Sequence, residues 1–160
     1  MTTPKLQHEL KKKRPFESPQ EEALLSVVRT SDQLQIRSAR LLREHGLTPS
    51  QYNILRILRG EGKPLPILEI ASRTIAVVPG ITGLIGRLEQ AGFVKRLRCE
   101  KDRRMIYVAP TDNGVTTLAA LDEPLVALHH KLIGHLSQGE LKELIRLLEK
   151  VREPLAGTDD

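Results

Sequence analysis

Aromatic residues are scarce in this chain of 160 residues, which contains two Phe, two Tyr and no Trp. Proteins that recognise single-stranded nucleic acid or unpaired RNA bases usually stack those bases on aromatic side chains. The composition therefore argues against that class of nucleic-acid binding. Recognition of a double-stranded nucleic acid remains open.

Cysteine and long apolar runs are also scarce. The only cysteine, Cys99, excludes a disulfide within the chain. The sequence has no signal peptide and no apolar run of about 18 residues, the length that spans a membrane. We therefore expect a cytoplasmic protein with no membrane partner.

Groups of residues typical of catalysis or metal binding are missing as well. No acid, base and nucleophile stand in a pattern that indicates a catalytic site, so we expect no enzyme. His129, His130 and His135 share a predicted helix, but no two are four residues apart and no cysteine accompanies them. We therefore expect neither a metal site nor a cofactor.

Positive charge is concentrated in one segment of the chain. Residues 87–104 include seven Lys or Arg and three Asp or Glu, a net charge of +4 out of +5 for the whole chain. Residues 111–160 include five basic and nine acidic residues, a net charge of −4. This division favours one face that binds an anionic polymer, although a basic segment can also be an ordinary solvated surface.

The apolar pattern in and around the basic segment predicts a helix followed by a hairpin. Apolar residues from Ile81 to Leu88 recur with helical spacing, whereas apolar and charged residues alternate in 93–98 and 105–108. Residues 99–104 form the loop. A helix followed by a basic hairpin is typical of a winged helix. The predicted fold class is mostly α with a small β-wing of two or three strands and six helices.

Two shorter helices are predicted before the basic segment. Thr48, Pro49 and Gln51 have the spacing of a capping box with proline in the first turn, and this helix should stop before Gly60. The next helix is predicted over 68–74, with Leu68 facing inward. Together with the helix of the basic segment they make a helix-turn-helix, whose last helix reads DNA.

The predicted reading helix begins at Pro79 and is unusually rich in glycine. Gly80, Gly83 and Gly86 recur at every third position, and each costs about 1 kcal/mol of helix stability relative to alanine. Either a bare helix face approaches DNA or a neighbouring helix closely, or the glycines only allow tight packing. The predicted DNA-contacting residues of this helix are Pro79, Gly80, Thr82, Gly83 and Arg87.

The hairpin loop supplies the second set of predicted DNA contacts, Lys101, Asp102, Arg103 and Arg104. A long arginine at the tip of a wing can enter the narrow minor groove, where negative potential is focused. A carboxylate two residues away, as Asp102 is from Arg104, can hold that arginine extended.

Three further predicted helices have apolar stripes that a small winged helix does not cover. They span 21–45, with an interruption at polar residues 30–32, then 111–136, with Val115 facing inward, and finally a helix that follows the capping box at 137–140. The stripes can meet a second copy of the chain, or they can pack only on each other. The predicted dimer contacts are Leu24, Val28, Leu128, Leu132, Leu141, Leu144 and Leu148.

These patterns divide the chain into four parts. Residues 1–20 are predicted to be a flexible basic tail, and residues 47–110 a winged helix-turn-helix lobe that binds DNA. Residues 21–46 and 111–154 make the helical dimerisation region, and residues 155–160 a flexible end.

The order of these segments resembles the MarR family of winged-helix transcriptional regulators over nearly all of residues 21–153. The resemblance is carried by LTPSQYNILRIL (47–58), LIGRLEQAGFVKR (84–96), EKDRRMIYVAPTDNG (100–114) and SQGELKELIRLLEKV (137–151). One difference is that the reading helix is preceded by Val77 and Val78, where the family often has polar residues. Base reading is therefore expected to be sparse, and to use Thr82, thymine methyl groups and DNA shape.

The resemblance implies a sequence-specific transcriptional regulator that binds a pseudo-palindromic operator in double-stranded DNA as a homodimer. It implies that Arg104 is the minor-groove arginine and Asp102 the acid that orients it. Family members are often repressors that a small aromatic or phenolic effector releases from DNA. Some relatives sense oxidants through a first-helix cysteine, whereas Cys99 lies in the wing, and we expect it to be a passive thiol. The alternative function is a winged-helix adaptor that binds proteins and has no specific DNA site.

Overall fold

The computed structural model describes residues 6–102 and 104–156, and these form seven α-helices and one antiparallel sheet. The helices are α1 (Leu6–Glu9), α2 (Pro19–Glu44), α3 (Pro49–Glu61), α4 (Ile67–Ser72), α5 (Ile81–Gln90), α6 (Asp112–Ile133) and α7 (Gln138–Arg152), followed by a 3-10 turn at Glu153–Leu155. The strands are β1 (Leu65–Pro66), β2 (Val94–Arg98) and β3 (Ile106–Pro110). The predicted fold class, mostly α with a small β-wing of two or three strands, is confirmed, although the described residues form seven helices where six were predicted.

The chain divides after Leu121 into two compact units, and α6 runs from the first unit into the second. The first unit contains the sheet and α1 to α5, and the second contains the end of α6 and all of α7. Within the described residues, no helix is both long enough and apolar enough to cross a membrane.

The N-terminal segment contains one helical turn, α1, that the sequence did not predict. After it, the Lys12 ammonium lies 5.1 Å from the centre of the Phe16 ring, and it donates a hydrogen bond to the Pro15 carbonyl at 2.9 Å. A helix of four residues is too short to show an apolar period, so the apolar pattern could not predict it.

Helix α2 is continuous, so the predicted interruption at residues 30–32 is wrong. Its first turn is capped by Ser18, whose hydroxyl accepts a hydrogen bond from the Glu21 amide at 3.2 Å. Polar residues such as Thr30 and Asp32 lower helix propensity by only about 0.7 kcal/mol each or less. That cost is too small to break a helix of this length.

Helix α3 begins as predicted, because Thr48 and Gln51 form the complete capping box and Pro49 occupies the first turn. It passes through Gly60, before which we expected it to stop, and ends at Glu61, where Gly62 caps it with a left-handed φ of 71°. Its buried apolar residues are Ile54, Leu55, Ile57 and Leu58.

The sheet has the strand order β1-β3-β2, and both pairs are antiparallel. Val108 in the central strand lies opposite Leu65 of β1 and Arg96 of β2. The core of the lobe includes buried residues of the sheet and of α3, α4 and α5, namely Ile54, Leu55, Leu58, Leu65, Ile70, Ile85, Leu88, Val94 and Val108.

Two apolar residues that were predicted to face inward are exposed. Leu68 is 84% exposed, and Ile70 is the buried residue of α4. Val115 is 44% exposed, whereas Leu118 and Leu121 of the same helix are buried. A helix of six residues such as α4 has fewer than two turns, so its apolar spacing fixed neither its first residue nor its inward face.

The start of α6 packs directly on the turn between α5 and β2. The Thr111 amide donates to the Phe93 carbonyl at 3.0 Å, and the Thr111 hydroxyl accepts from the Gly114 amide at 3.1 Å. A side-chain carbon at Gly114 would lie 2.2 Å from the Phe93 carbonyl oxygen. The helix can approach this turn so closely only because residue 114 is glycine.

We predict that Gly114→Ala lowers the free energy of unfolding by about 1–3 kcal/mol, because the new methyl group overlaps the Phe93 backbone. Gly60→Ala is the matched control, since Gly60 also lies in a helix but a methyl group there would enter open space. It should leave stability unchanged or raise it by about 1 kcal/mol. Urea denaturation measures both, and equal stability of the two variants would contradict the close contact.

Candidate nucleic-acid interface

The three helices α3, α4 and α5 form the predicted helix-turn-helix, and α5 is the last of them in the chain. Helix α5 buries Leu84, Ile85 and Leu88 against the lobe. Helical spacing then leaves Thr82, Gly83 and Arg87 on the opposite face, and all of them are exposed. This exposed face is accessible to a large ligand such as double-stranded DNA.

Helix α5 begins at Ile81, so Pro79 and Gly80 precede the helix. The prediction that they belong to its first turn is wrong. Gly80 has a left-handed φ of 66°, a conformation that glycine adopts without strain. A side-chain carbon at Gly83 would lie 3.7 Å from the Arg87 guanidinium. Gly86 faces the Arg96 guanidinium, at 3.4 Å from the corresponding position. The regular spacing of the glycines therefore has no single structural cause.

A shallow groove of about 390 Å³ lies beside the start of α5. It is lined by Thr48, Ser50 and Gln51 at the start of α3, by Val77, Val78 and Pro79 in the turn before α5, and by Leu84 and Arg87. The sequence did not predict that α3 contributes to this surface, since nothing in the local pattern links residues some 30 positions apart. The groove thus combines hydroxyl and amide groups, apolar side chains and one arginine.

The wing loop is organised around Asp102. Its carboxylate accepts a hydrogen bond from the backbone amide of Arg104 at 2.9 Å, and its carbonyl accepts from the Met105 amide at 3.0 Å. Within the described residues, no ion pair joins Asp102 to the Arg104 guanidinium. The Asp102 carboxylate therefore bonds to the backbone of Arg104, and its role in orienting the arginine side chain stays a prediction.

The predicted DNA-contacting residues on the wing and on α5 lie on exposed positions. Lys101, Asp102 and Arg104 are exposed at the tip of the wing, as are Pro79 and Gly80 before α5. Arg103 lies outside the described residues.

Arg96 connects the wing to α5. Its guanidinium donates to the Thr82 carbonyl at 3.2 Å and lies 3.5 Å from the Glu89 carboxylate. The same carboxylate accepts from the Arg96 amide at 3.2 Å. The sequence predicted only a positive charge at Arg96, because a contact between a strand and a helix seven residues earlier follows no local spacing rule.

The remaining positive side chains of the lobe divide into neutralised and available groups. Arg73, directly after α4, pairs with Glu61 at 2.6 Å and also with Glu69. The hydrogen bond from Arg73 holds the pKa of the Glu61 carboxyl below its ordinary value. By contrast, five exposed cations on α5 and the wing form no ion pair with the described residues: Arg87, Lys95, Arg98, Lys101 and Arg104. Their charge is available to an anionic ligand.

The predicted dimer contacts lie on three helices and are incompletely covered within the single chain. Leu24 and Val28 of α2 are exposed, at 64% and 57%. Leu144 of α7 is also exposed. The other predicted contacts, Leu128, Leu132, Leu141 and Leu148, are half-buried.

Other candidate sites are less developed. Among the described residues, no three His, Cys, Asp or Glu side chains gather in a group that would hold a metal ion. Cys99 is half-buried at the base of the wing loop, where its amide donates to the Met105 carbonyl at 3.2 Å.

Comparison with known proteins assigns this arrangement to one group. Residues 47–106 match the MarR family. The chain is 35% identical over 114 residues to the HTH-type transcriptional regulator YkoM of Bacillus subtilis, a match that covers 71% of this chain and 73% of that protein. It is 26% identical over 110 residues to the homoprotocatechuate degradative operon repressor of Escherichia coli, covering 69% of this chain and 74% of that protein.

A solved structure shows a similar fold over most of the chain. The crystal structure of a MarR transcription factor from Planctomyces limnophilus is 40% identical, with a TM-score of 0.65. The match covers 84% of this chain and 98% of that one.

We predict that Arg96→Ala lowers the free energy of unfolding by about 1–2 kcal/mol, because it removes charged hydrogen bonds that join β2 to α5. Arg98→Ala is the matched control, since Arg98 lies two residues along the same strand and is exposed. It should change stability by less than about 0.5 kcal/mol. If urea denaturation gives the same stability for the two variants, Arg96 does not fasten the wing.

Proposed function

This chain belongs to the MarR family of transcriptional regulators, and we propose that it acts as a homodimeric repressor of a pseudo-palindromic DNA operator. The observation that carries the proposal is the set of exposed, unpaired cations that α5 and the wing present on one lobe. A DNA backbone is the polyanion that a helix and a hairpin loop contact together in winged-helix proteins. The relatives are transcriptional regulators, and none of those compared is named as an enzyme.

Helix α5 is the element we assign to the major groove. Its outer face has side chains of modest size, since Gly83 has none and Thr82 is short, and a helix with such a face can approach base edges closely. Arg87 lies one turn further along the same face. An arginine there is able to donate two hydrogen bonds to O6 and N7 of a guanine.

The wing is the element we assign to the minor groove. Arg104 is exposed at its tip, and the backbone of the loop is held by Asp102. An arginine inserted into a narrow minor groove gains from the strong negative potential there. Lys101 is close enough in sequence to contact the flanking phosphates.

Dimerisation is the third part of the proposal. Helix α7 has no buried residue, although Leu144, Ile145, Leu147 and Val151 are large and apolar. Monomeric proteins rarely expose large contiguous apolar patches. A second copy of the chain would cover the stripe by the same residues, and the resulting two-fold symmetry would suit a pseudo-palindromic operator.

Repression and its release by an effector rest on the family and on one cleft. The Escherichia coli relative is named as the repressor of the homoprotocatechuate degradative operon. In this chain, a largely apolar cleft of about 310 Å³ is lined by Leu58, Arg59, Gly62, Lys63, Pro64, Ala109, Pro110 and Val115. A small aromatic or phenolic compound fits such a volume. It would release DNA if it bound better to a conformation that does not fit the operator. If no small aromatic or phenolic compound displaces the protein from DNA, the effector is excluded and the other parts of the proposal stand.

We predict that the protein binds the DNA upstream of its own gene, and that this binding weakens as the salt concentration rises. Arg104→Ala should weaken the binding by about 1–3 kcal/mol and leave the oligomeric state unchanged. Arg37→Ala, on α2, is the control for loss of one positive charge, and it should retain full affinity. Fluorescence anisotropy at two salt concentrations, with unrelated DNA as competitor, measures each dissociation constant.

The outcomes of this experiment separate the proposed function from its alternative. Salt-sensitive binding that resists the competitor would support a specific operator. Unchanged affinity of Arg104→Ala would remove Arg104 from the interface. Binding at neither salt concentration would favour the adaptor that docks on proteins.

We predict that Leu144→Asp combined with Leu148→Asp converts the dimer into monomers, because two carboxylates would be buried in the apolar interface. Lys142→Asp combined with Arg146→Asp adds the same two side chains at the same spacing on the polar side of α7, and it should remain dimeric. Sedimentation equilibrium gives the mass of each variant. A dimer that persists in the leucine double variant would rule out α7 as the interface.

A further inference from the structure

We propose that Val77 recognises the 5-methyl group of thymine, and so sets part of the sequence preference of the operator. The inference rests on the proposed function, because it needs α5 to lie in the major groove. It adds a specificity-determining residue outside the reading helix, in the turn that joins α4 to α5.

The first observation is the exposure of Val77. Its side chain is 93% exposed, the highest value among the large apolar residues of the described part of the chain. Exposed apolar side chains are common on protein surfaces and need no partner by themselves. The position of Val77, and not its exposure alone, therefore has to decide what it contacts.

The second observation is the position of Val77 in the groove beside α5. The groove also includes Arg87, an unpaired cation on the outer face of α5, and the hydroxyl groups of Thr48 and Ser50. The core of a protein interface is depleted of charged residues, whereas this groove places its valines beside an arginine and hydroxyl groups. A DNA groove presents the matching chemistry, because phosphates and base acceptors surround each thymine methyl group.

The third observation is how few groups near the start of α5 are able to make hydrogen bonds to bases. Gly80 and Gly83 have no side chain, and Pro79 has neither a side-chain donor nor a backbone N–H. Of residues 79–83, Thr82 alone has a side chain that makes hydrogen bonds, so base discrimination at this end of the helix depends largely on shape and apolar contact. Thymine is the only DNA base with a methyl group in the major groove, so it is the base that an exposed valine distinguishes.

Replacement of thymine by deoxyuridine tests the inference, because it removes that methyl group and leaves every hydrogen-bonding group in place. Duplexes that the wild-type protein binds are first selected from a random library, and each thymine of the selected site is then replaced in turn. We expect that a replacement in a single half-site weakens binding about fourfold, the effect of losing one buried methyl contact. The same replacement in both half-sites should weaken binding about fifteenfold.

Two variants assign this effect to Val77. Val77→Ser should bind the thymine site as weakly as wild type binds the uracil site, and should no longer distinguish the two. Ile75→Ser is the matched control, since Ile75 is 84% exposed in the same turn but does not line the groove. It should retain the wild-type preference for thymine. Unchanged melting temperatures would show that both variants are folded.

Each contrary result has a separate meaning. If selection yields no preferred sequence, the proposed operator binding fails, and the inference fails with it. If a site is selected but no thymine replacement changes affinity, or if Val77→Ser keeps the wild-type preference, the inference alone is overturned and operator binding stands.

Discussion

The geometry of the candidate DNA-binding lobe depends on the attachment of the wing to α5. The connection is short and backbone-bonded, because the Phe93 amide donates to the Leu88 carbonyl at 2.9 Å and Gly92 turns the chain with a φ of 78°. Beyond the turn, Arg96 bonds to both Thr82 and Glu89 of the helix. A helix in one groove and a loop in the next can act together only if their separation is fixed, and these bonds fix it.

Affinity and sequence preference have different sources on this lobe. The wing and α5 provide several exposed cations, and contacts of cations with phosphates supply affinity that depends on salt but not on sequence. The start of α5 provides few hydrogen-bonding side chains, because Gly80 and Gly83 have no side chain. Under the proposed function, sequence preference then comes from Thr82, Arg87, apolar contact and the shape of the DNA.

The sequence was sufficient where the cause of a structure lies within a few residues. The capping boxes at Thr48 and Ser137 each involve a side chain and a backbone group three residues apart, and both form as predicted. Alternation also predicted the wing strands. The sequence was insufficient where the cause is distant or lies in the backbone. The pairing of Arg96 with Glu89 depends on how the strand crosses the helix, and the left-handed conformation of Gly80 moved the start of α5 past two residues assigned to it.

Two uncovered apolar regions of the chain differ in pattern, and that difference indicates different partners. The apolar residues of α7 continue over several turns, and such a stripe is complementary to another apolar helix, for which a second copy of the chain is the simplest source. Val77 lies among polar groups and beside a cation, so a continuous apolar partner would have to desolvate those groups without replacing their hydrogen bonds. The edge of a base pair replaces them, because it presents acceptors beside a methyl group. The polarity around an exposed apolar residue, more than its exposure, therefore indicates what covers it.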